Sequence, residues 1–331
     1  MNKVILLNNR PVGKPTADDF KFIEEEPPVI ELGQVLLKTL YVSVDPYLRG
    51  RMSSEKSYVP PFELNKPIQS GIIAEVIASK HPDFKLGDFV SGMLSWKELQ
   101  LSDGKGLHKV DGNAAPLSAY LGVLGMTGLT AYLGLTEIGK PKAGETLVVS
   151  GAAGAVGSVV GQIGKILGCK VIGIAGSDEK TTLLTSKFGF DVVINYKTTT
   201  DMKTAIANAA PNGVDIYFDN VGGEISDAVL ANVNQLARVP VCGAISVYNE
   251  TGVSMGPRVQ TTLIKNSVLM QGFVVSNYSA KFPEAITQLT TWLQKGKLTY
   301  SETIFNGFDH IPQAFLDLFE GKNEGKMIVK I

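Results

Sequence analysis

The amino-acid sequence predicts an α/β protein that joins a doubly wound parallel sheet of the Rossmann type to a second, β-rich domain. A glycine-rich turn at residues 151–157 follows an apolar run and opens a helical pattern. From about residue 145, strand and helix patterns alternate, which is typical of a parallel sheet with crossover helices. The part of the chain before about residue 122 is instead irregular and rich in strand patterns. A length of 331 residues suits two domains.

The β-rich part opens with four contiguous apolar residues, Val4–Leu7, which indicate a first strand and are too few for a signal peptide. Further strands are predicted at 35–44, 70–78 and 88–94, with prolines between them. At the other end of the chain, the segment from Lys281 predicts an amphipathic helix, a second helix at 311–320 and a final strand at 326–331.

The alternating region contains six predicted strands, and each of the first four is followed by a helix. The fifth and sixth strands are predicted at 237–242 and 268–275. Pro240 removes a hydrogen-bond donor from the fifth strand, so a local irregularity is expected there. The four strand and helix pairs are 146–150 with 155–167, 171–175 with 178–187, 191–195 with 201–209, and 214–219 with 224–234.

The glycine turn predicts a dinucleotide-binding site. Gly151 permits the tight turn, Gly154 lets backbone approach a pyrophosphate, and Gly157 lets the new helix pack close to its strand. The spacing G-x-x-G-x-x-G departs from the usual fingerprint, and a glycine-rich loop without a ligand is the alternative. Close packing of the helix is indicated by further glycines along one face, namely Gly161, Gly164 and Gly168.

The end of the second predicted strand favours NADP over NAD. NAD-binding folds usually carry an acidic residue there, whereas this strand ends in the small residues Ala175 and Gly176. Ser177 is a good N-cap, which puts Lys180 in a first helical turn, where a cation is disfavoured unless an anion lies nearby. The 2′-phosphate of NADP would be such an anion. A solvated lysine is the alternative, and Asp178 and Glu179 leave NAD open.

Composition excludes several classes of partner. The 31 basic and 32 acidic residues give a net charge of −1 without long charge blocks, which argues against nucleic acid. The two cysteines, Cys169 and Cys242, lie in apolar contexts, which is typical of a reducing compartment such as the cytoplasm. The uncharged stretch 113–136 is long enough to span a membrane, but Pro116 and four glycines indicate a broken, buried helix pair instead.

Several motifs together resemble one branch of the zinc-independent medium-chain dehydrogenase/reductases. This branch contains the prostaglandin reductases, the leukotriene 12-hydroxydehydrogenases and the alkenal/one double-bond reductases. The resemblance covers nearly the whole chain, and its Val-Asp-Pro-Tyr and C-terminal motifs are specific to the branch. The motifs are Val42–Arg49, Gly125–Tyr132, Ala152–Ser158, Gly176–Lys180, Phe218–Gly223, Cys242–Ser246 and Asn323–Met327.

The resemblance implies a GroES-like catalytic domain, formed by residues 1–122 and 299–331, and an NADP-binding Rossmann domain at 123–298. It also implies that Met126 and Thr130 lie near the nicotinamide. Three of the implied contacts have structural alternatives. Tyr196 could cap the third strand, Asn220 could form a turn, and Phe273 could belong to the core. The implied NADP(H) contacts are Gly154, Ala155, Val156, Gly157, Lys180, Tyr196, Asn220, Cys242, Gly243, Ala244, Ile245, Ser246, Tyr248, Phe273, Val274, Val275 and Asn323.

No metal is expected. Zinc-dependent relatives place cysteine and histidine ligands at positions that are similar to Ser43–Asp45, Gln69–Gly71 and Met126 in this chain. None of these residues belongs to the usual nitrogen and sulfur ligand set of zinc. Surface or capping roles are expected for the three scattered histidines, His81, His108 and His310.

Without a Lewis acid, hydride transfer to an activated C=C bond is better suited than alcohol oxidation. We expect hydride from NADPH to reach the β-carbon of an enone or enal, so that negative charge builds on the carbonyl oxygen and needs a donor. Tyr248 is the candidate donor, because the similar family tyrosine lies beside the nicotinamide. The cofactor ribose could share that role, and loop packing is the alternative. Tyr47 is expected either to shape the substrate cleft or to be a strand-end aromatic.

Two other functions stay open. An NADPH-dependent quinone reductase would use the same cofactor without zinc, although Asp45–Tyr47 resembles the alkenal branch. A non-catalytic NADPH-binding protein is also compatible, since a fold does not fix a function. The substrate itself is not determined by these motifs, and the loops around 53–64 and 253–260 carry that information.

A homodimer is expected through the sixth strand of the Rossmann sheet. Residues 267–276 form a long apolar run that comes last in the expected order 3-2-1-4-5-6. An exposed edge of this kind tends to associate, and pairing across a two-fold axis would bury it in both subunits. A monomer whose C-terminal helices cover the strand is the alternative.

Overall fold

A computed structural model describes all residues, Met1–Ile331, and contains fifteen strands and nine α-helices. The strands β1 to β15 span Asn2–Leu7, Phe20–Glu25, Val35–Ser43, Gln69–Ser79, Phe89–Ser95, Leu99–Ser102, His108–Lys109, Thr146–Val149, Lys170–Ala175, Val192–Asn195, Val214–Phe218, Val233–Val241, Leu269–Gly272, Glu302–Asn306 and Lys326–Lys330. The helices α1 to α9 span Leu48–Met52, Met126–Leu133, Gly157–Ile166, Asp178–Ser186, Met202–Ala209, Gly223–Leu230, Gln260–Asn266, Phe282–Gln294 and Ile311–Leu318.

The chain divides into two compact units, each with its own sheet and core. The first unit contains Met1–Gly122, Glu302–Asn323 and Met327–Ile331. The second unit contains Val123–Ser301 and Glu324–Lys326. The end of the chain therefore contributes to both units.

The first unit is built around an antiparallel sheet with the order β14-β15-β3-β4-β5-β7, and β6 also pairs with β3. The predicted strands 35–44, 70–78 and 88–94 correspond to β3, β4 and β5. A separate hairpin-like pair joins β1 to β2. Buried aromatic rings fill the core, where the ring of Phe20 lies 6.2 Å from those of Trp96 and Phe315.

The second unit contains the doubly wound parallel sheet that the sequence predicts. Its strand order is β10-β9-β8-β11-β12-β13, which is the order 3-2-1-4-5-6 in sequence terms. All five neighbouring pairs are parallel. In such a sheet the carboxyl ends of the strands share one edge, so the turns after β8, β9, β11 and β12 lie near one another.

Helix α3 packs against its surroundings through bare backbone, as its glycine series predicts. A Cβ atom on Gly161 would overlap the ring of Phe190. A Cβ atom on Gly164 would lie 2.5 Å from the side chain of Leu147 on β8. The helix can approach the sheet this closely only because these positions carry no side chain.

The predicted helix 224–234 was too long, because α6 ends at Leu230 and β12 begins at Val233. The Asn232 side-chain amide donates to the Ala228 carbonyl oxygen four residues earlier, a local bond that competes with helix continuation, and to the carbonyl oxygen of the distant Lys203. The irregularity expected at Pro240 was also misplaced. Pro240 pairs in register with Gln271, whereas the break in pairing falls near Leu236, whose φ is +63°.

Two further boundaries differ from the prediction. The uncharged stretch forms a short 3₁₀ turn at Leu117–Leu121 and then α2, which continues as a π-helical turn at Gly134–Gly139. No helix in the structure combines the length and the apolar character that crossing a bilayer requires. The sixth strand stops at Gly272, earlier than predicted, because a 3₁₀ turn begins at Val275.

Candidate active site

The glycine turn after β8 forms a tightly wound backbone cradle. Gly151 has a φ of +57°, which favours glycine, and a Cβ atom on Gly154 would lie 3.2 Å from the Gly151 carbonyl oxygen. Ala155 and Val156 complete the turn, and α3 then starts at Gly157, where a Cβ atom would overlap Gly151. The cradle ends at the N-terminus of a ten-residue helix, which is the arrangement that accommodates a pyrophosphate.

A short piece from the end of the chain runs along this cradle. The Gly325 N–H donates to the Ala153 carbonyl oxygen at 2.8 Å, and Gly325 forms a parallel bridge with Gly154. A Cβ atom on Gly325 would overlap the Ser301 backbone, so only glycine fits there. Asn323 belongs to the first unit and directly precedes this piece.

Lys180 and Lys197 lie at the carboxyl ends of β9 and β10. The Ser177 hydroxyl caps α4 by accepting the Lys180 N–H at 3.3 Å, so Lys180 is in the first helical turn as predicted. Burial lowers the pKa of the Lys180 ammonium, Glu324 opposes that shift, and Lys197 adds to it. The ring of Tyr196 lies 2.8 Å from where a Cβ atom on Gly176 would be. Two cations thus stand near one carboxylate.

The two acidic residues that left NAD open have other interactions. Asp178 accepts a 2.8 Å hydrogen bond from the Asn195 side-chain amide. Glu179 is exposed, and hydrogen bonds at the helix start lower the pKa of its carboxyl. The two ammonium groups at this edge, those of Lys180 and Lys197, are the donors that suit a phosphate monoester. Sequence reasoning missed Lys197, although its position directly after Tyr196 at the end of the third strand could have indicated it.

The loops after β11 and β12 are tied together by backbone hydrogen bonds. The carbonyl oxygen of Asp219 accepts the N–H groups of Cys242 at 2.8 Å and Gly243 at 3.2 Å. Two residues on, the Val221 carbonyl oxygen accepts the Ser246 N–H at 3.1 Å and its hydroxyl at 2.6 Å. The Asn220 side-chain amide donates to the Ser150 carbonyl oxygen at 2.8 Å. These hydrogen bonds therefore hold the loop that contains Asn220 and the loop 242–248 against each other.

Tyr248 closes the second loop, just after the 3₁₀ turn Ile245–Val247. Its hydroxyl oxygen accepts the Ala244 N–H at 3.2 Å, which leaves the hydroxyl hydrogen able to donate. Burial is the main cause of the raised pKa of the Tyr248 phenol, so it stays protonated at neutral pH. Burial, assisted by the charge of Asp219, raises the pKa of the Cys242 thiol to about 12, so a thiolate is excluded there.

Met126 and Thr130 share one face of α2, one turn apart. Met126 is the first residue of the helix and 39% exposed, and the Thr130 hydroxyl donates to its carbonyl oxygen at 2.7 Å. The ring of Phe273 packs edge-on against Phe218, with centroids 6.2 Å apart, and fills the space beside Gly134. The Phe273 side chain is therefore a packing group, which leaves the backbone of 273–275 for contact with a ligand.

Tyr47 belongs to the first unit, where it precedes α1 in a turn that Asp45 starts by accepting the Leu48 N–H at 3.1 Å. Its ring packs against the core of that unit. Burial and the nearby Asp45 raise the pKa of the Tyr47 phenol, so this group also stays protonated.

The positions that resemble zinc ligands of relatives are used for internal hydrogen bonds. The Ser43 hydroxyl donates to the Asp45 carboxylate, and the Trp96 indole N–H donates to the Ser70 hydroxyl at 2.8 Å. No group of three or more His, Cys, Asp or Glu side chains is arranged to hold a metal ion. His81 accepts the Asp83 N–H at 3.1 Å, His310 contacts the Asn306 carbonyl at 2.7 Å, and His108 is exposed on β7.

Comparison with known proteins assigns both parts of the chain. Residues 3–110 match the family described as the N-terminal domain of oxidoreductase, and residues 155–291 match the zinc-binding dehydrogenase family. The chain is 42% identical to the NADPH-dependent curcumin reductase of Escherichia coli (strain K12), over 100% of this chain and 97% of that protein. It is 43% identical to prostaglandin reductase 1 of Sus scrofa, over 96% of both chains.

A solved structure agrees with these relatives. The crystal structure of CurA from Vibrio vulnificus in complex with NADPH superimposes with a TM-score of 0.94 and 43% identity, over 99% of this chain and 98% of that chain. The predicted Rossmann and GroES-like fold class is thereby confirmed. The chain belongs to the medium-chain dehydrogenase/reductase superfamily, in the branch that contains the prostaglandin reductases, the alkenal reductases and the curcumin reductases.

Proposed function

We propose that this protein reduces the C=C bond of α,β-unsaturated ketones and aldehydes with NADPH, by hydride transfer to the β-carbon and without a metal. The observation that carries the proposal is the position of the Tyr248 phenol, which lies in the unit that contains the dinucleotide cradle. Its oxygen accepts the Ala244 N–H, and its own hydrogen is available to donate. The names of the curcumin and prostaglandin reductases support the same class of reaction for those relatives.

The residues present fit NADPH. In this proposal the turn Gly154–Gly157 and the N-terminus of α3 bind the pyrophosphate, and Lys180 with Lys197 binds the 2′-phosphate. Tyr196 and Asn220 flank the nucleotide, and the backbone of 242–246 and 273–275 lines it, with Met126 and Thr130 near the nicotinamide. When bound, NADPH supplies the hydride.

Tyr248 carries out the electrostatic part of the reaction. As hydride adds to the β-carbon, negative charge builds on the carbonyl oxygen of the substrate, and the Tyr248 hydroxyl donates a hydrogen bond to it. A phenol with a raised pKa is a donor across the neutral range, because it does not ionise there. In this proposal Tyr47, whose phenol is also protonated, shapes the substrate cleft.

One steady-state assay separates this proposal from its alternatives. NADPH loss is followed with trans-2-alkenals, aryl enones and quinones as substrates, at equal enzyme concentration. We expect the highest kcat/KM with enones and alkenals. Quinones as the better substrates would instead make the protein a quinone reductase. NADPH binding without turnover of any of the three classes would make it a non-catalytic binding protein.

We also propose a homodimer that pairs through β13. This strand is the open edge of the Rossmann sheet, three of its four residues are exposed, and Leu269 is 47% exposed. Helix α7, which precedes β13, has no buried residue, and its Ile264 is 78% exposed. Apolar groups beside an unpaired strand favour association with a second copy. Sedimentation equilibrium at micromolar concentration should give twice the chain mass of 35.4 kDa.

The proposed location is the cytoplasm, with a small enone or enal as partner and neither nucleic acid nor membrane. Cys169 and Cys242 are free, and burial raises the pKa of the Cys169 thiol to about 11. Unreactive free thiols suit a reducing compartment. Fractionation of cells that produce the tagged protein should place it with cytoplasmic markers.

A further inference from the structure

Asp219 is a buried acid that is not among the NADP(H) contacts predicted from the sequence. It follows β11 directly and is 2% exposed. One of its carboxylate oxygens, Oδ1, accepts four hydrogen bonds. The donors are the Tyr217 hydroxyl at 2.8 Å, the Ser150 hydroxyl at 3.1 Å, the Val221 N–H at 3.0 Å and the Gly222 N–H at 2.9 Å.

These donors connect Asp219 to the ends of neighbouring strands. Ser150 is the residue between β8 and Gly151, so it joins the carboxylate to the start of the glycine cradle. The main chain of Asp219 reaches the other way, because its N–H donates to the Pro240 carbonyl oxygen at 3.0 Å and its carbonyl oxygen accepts from Cys242. One residue therefore holds the carboxyl ends of β8, β11 and β12 together.

The loop that carries Tyr248 depends on the same carboxylate. Oδ1 fixes the Val221 and Gly222 N–H groups and so orients the Val221 carbonyl, which holds the Ser246 N–H and hydroxyl. Ser246 lies two residues before Tyr248. Gly222 has a φ of +70°, a conformation that favours glycine, and the hydrogen bonds from the Val221 and Gly222 N–H groups to Oδ1 keep the turn closed.

The charge of Asp219 also acts at a distance. It contributes to the raised pKa of the phenol of Tyr248, after burial, and to that of the thiol of Cys242. Loss of this negative charge would let the Tyr248 phenol ionise at a lower pH.

We propose that Asp219 is a positioning residue for the reaction, whose carboxylate holds Asn220 and Tyr248 in place against the glycine cradle. The inference rests on the proposed role of Tyr248. Asp219 contacts neither substrate nor cofactor, and it acts through the two loops that do.

The test compares two isosteric variants on one strand. Asp219→Asn removes the negative charge of the group that accepts the four hydrogen bonds. Asp215→Asn is the matched control, because Asp215 lies at the other end of β11 and accepts the Thr146 N–H and the Asn234 amide, both at 2.8 Å. Both variants are compared with the unchanged protein for thermal unfolding, for NADPH Kd by calorimetry, and for kcat as a function of pH.

We expect Asp219→Asn to lower kcat about tenfold or more, because hydrogen bonds to a charged acceptor are the strong ones. The NADPH Kd should rise about threefold to tenfold, since Asn220 and the cradle lose a shared anchor. The alkaline fall of kcat should move to lower pH. Asp215→Asn should lower the melting temperature while kcat and Kd stay within about twofold of the unchanged protein.

A double mutant shows whether the effect passes through Tyr248. In a Tyr248→Phe background, Asp219→Asn should lower kcat less than about twofold further, since the group it positions is already gone. Independent, multiplying losses would refute the inference. An unchanged kcat and Kd in Asp219→Asn would also refute it.

The two proposals fail in different ways. If Tyr248→Phe is impaired and Asp219→Asn is not, only the positioning role is wrong. If Tyr248→Phe keeps the kcat of the unchanged protein while chemistry is rate-limiting, the donor role of Tyr248 is refuted. The positioning role of Asp219, which rests on it, is then refuted as well. Should Asp219→Asn not fold, Tyr217→Phe removes one of the four donors and should lower kcat about threefold, while the alkaline fall stays in place because the Asp219 charge remains. Unchanged kcat in that variant would again refute the positioning role.

Discussion

Replacement of Lys180 by alanine removes one of the two ammonium groups at the carboxyl ends of β9 and β10. Lys197 then remains as the other cation at this edge. A hydrogen bond to a charged group is worth about 1.5–3 kcal/mol, and the low end applies because this edge is only partly buried. We therefore expect the KM for NADPH to rise about tenfold, since about 1.4 kcal/mol corresponds to a factor of ten.

The same change should leave the KM for NADH within about twofold, because NADH has no 2′-phosphate for Lys180 to bind. Steady-state rates with each cofactor are measured at saturating enone. Lys187→Ala is the matched control, because this exposed lysine follows the same helix and bonds the Ser301 hydroxyl at 2.6 Å. Equal losses for NADPH and NADH, or equal losses in both variants, would refute the phosphate assignment.

The pH dependence follows from the same lysine. Burial lowers the Lys180 pKa in the free protein, so its charge is present at neutral pH and is lost at a lower pH than for an ordinary lysine. The KM for NADPH should therefore rise on the alkaline side while that for NADH stays flat. A bound phosphate opposes the loss of the proton, so the Lys180 pKa should be higher in the NADPH complex than in the free protein.

Three other outcomes are expected. Tyr248→Phe should lower kcat on enones by up to about 10²–10³ with little change in NADPH KM, since the lost donor acts when charge reaches the oxygen; an unchanged kcat under rate-limiting chemistry would mean that Tyr248 only packs. A strong chelator should leave the rate unchanged and elemental analysis should find no stoichiometric zinc, whereas one equivalent of zinc with activity lost on chelation would contradict the metal-free assignment. Met270→Pro should give a folded monomer in sedimentation equilibrium. The Phe273 N–H points to Val241, so by alternation the Met270 N–H points to the open edge; a dimer that survives the change would exclude pairing through this strand.

Much of the Rossmann unit was predictable because its signals are local. The glycine turn, the Ser177 cap and the apolar runs of β8 to β11 each depend on a few adjacent residues, and the strand order follows from the fold class that they indicate. The strand β14 was not predicted, because Glu302–Asn306 is only partly buried and shows no clear alternation. The end of α6 was misjudged because Asn232 and Asn234 bond to groups distant in sequence.

The candidate site shows the same division. The residues of the glycine cradle and Lys180 could be found from spacing and capping rules. The role of Asp219 could not be found in this way. Its four hydrogen bonds join Ser150 and Tyr217 to a turn, and a contact between β8 and β11, which are far apart in sequence, leaves no periodic signal. Phe273 stays a prediction: its ring packs against Phe218, and a position in a family motif does not separate this packing role from a contact between its backbone and a ligand.

The division of the chain end between two units has a consequence for biosynthesis. In β15, Ile328 pairs with Ser43, far away in the sequence, so the sheet of the first unit cannot close until residues 326–330 have been synthesised. Gly325, three residues earlier, bonds the cradle of the second unit. Pairings this distant in sequence slow folding and prolong the exposure of unpaired strand edges on the ribosome. Loss of only the last eight residues should therefore leave both units incomplete and make the nascent protein dependent on chaperones.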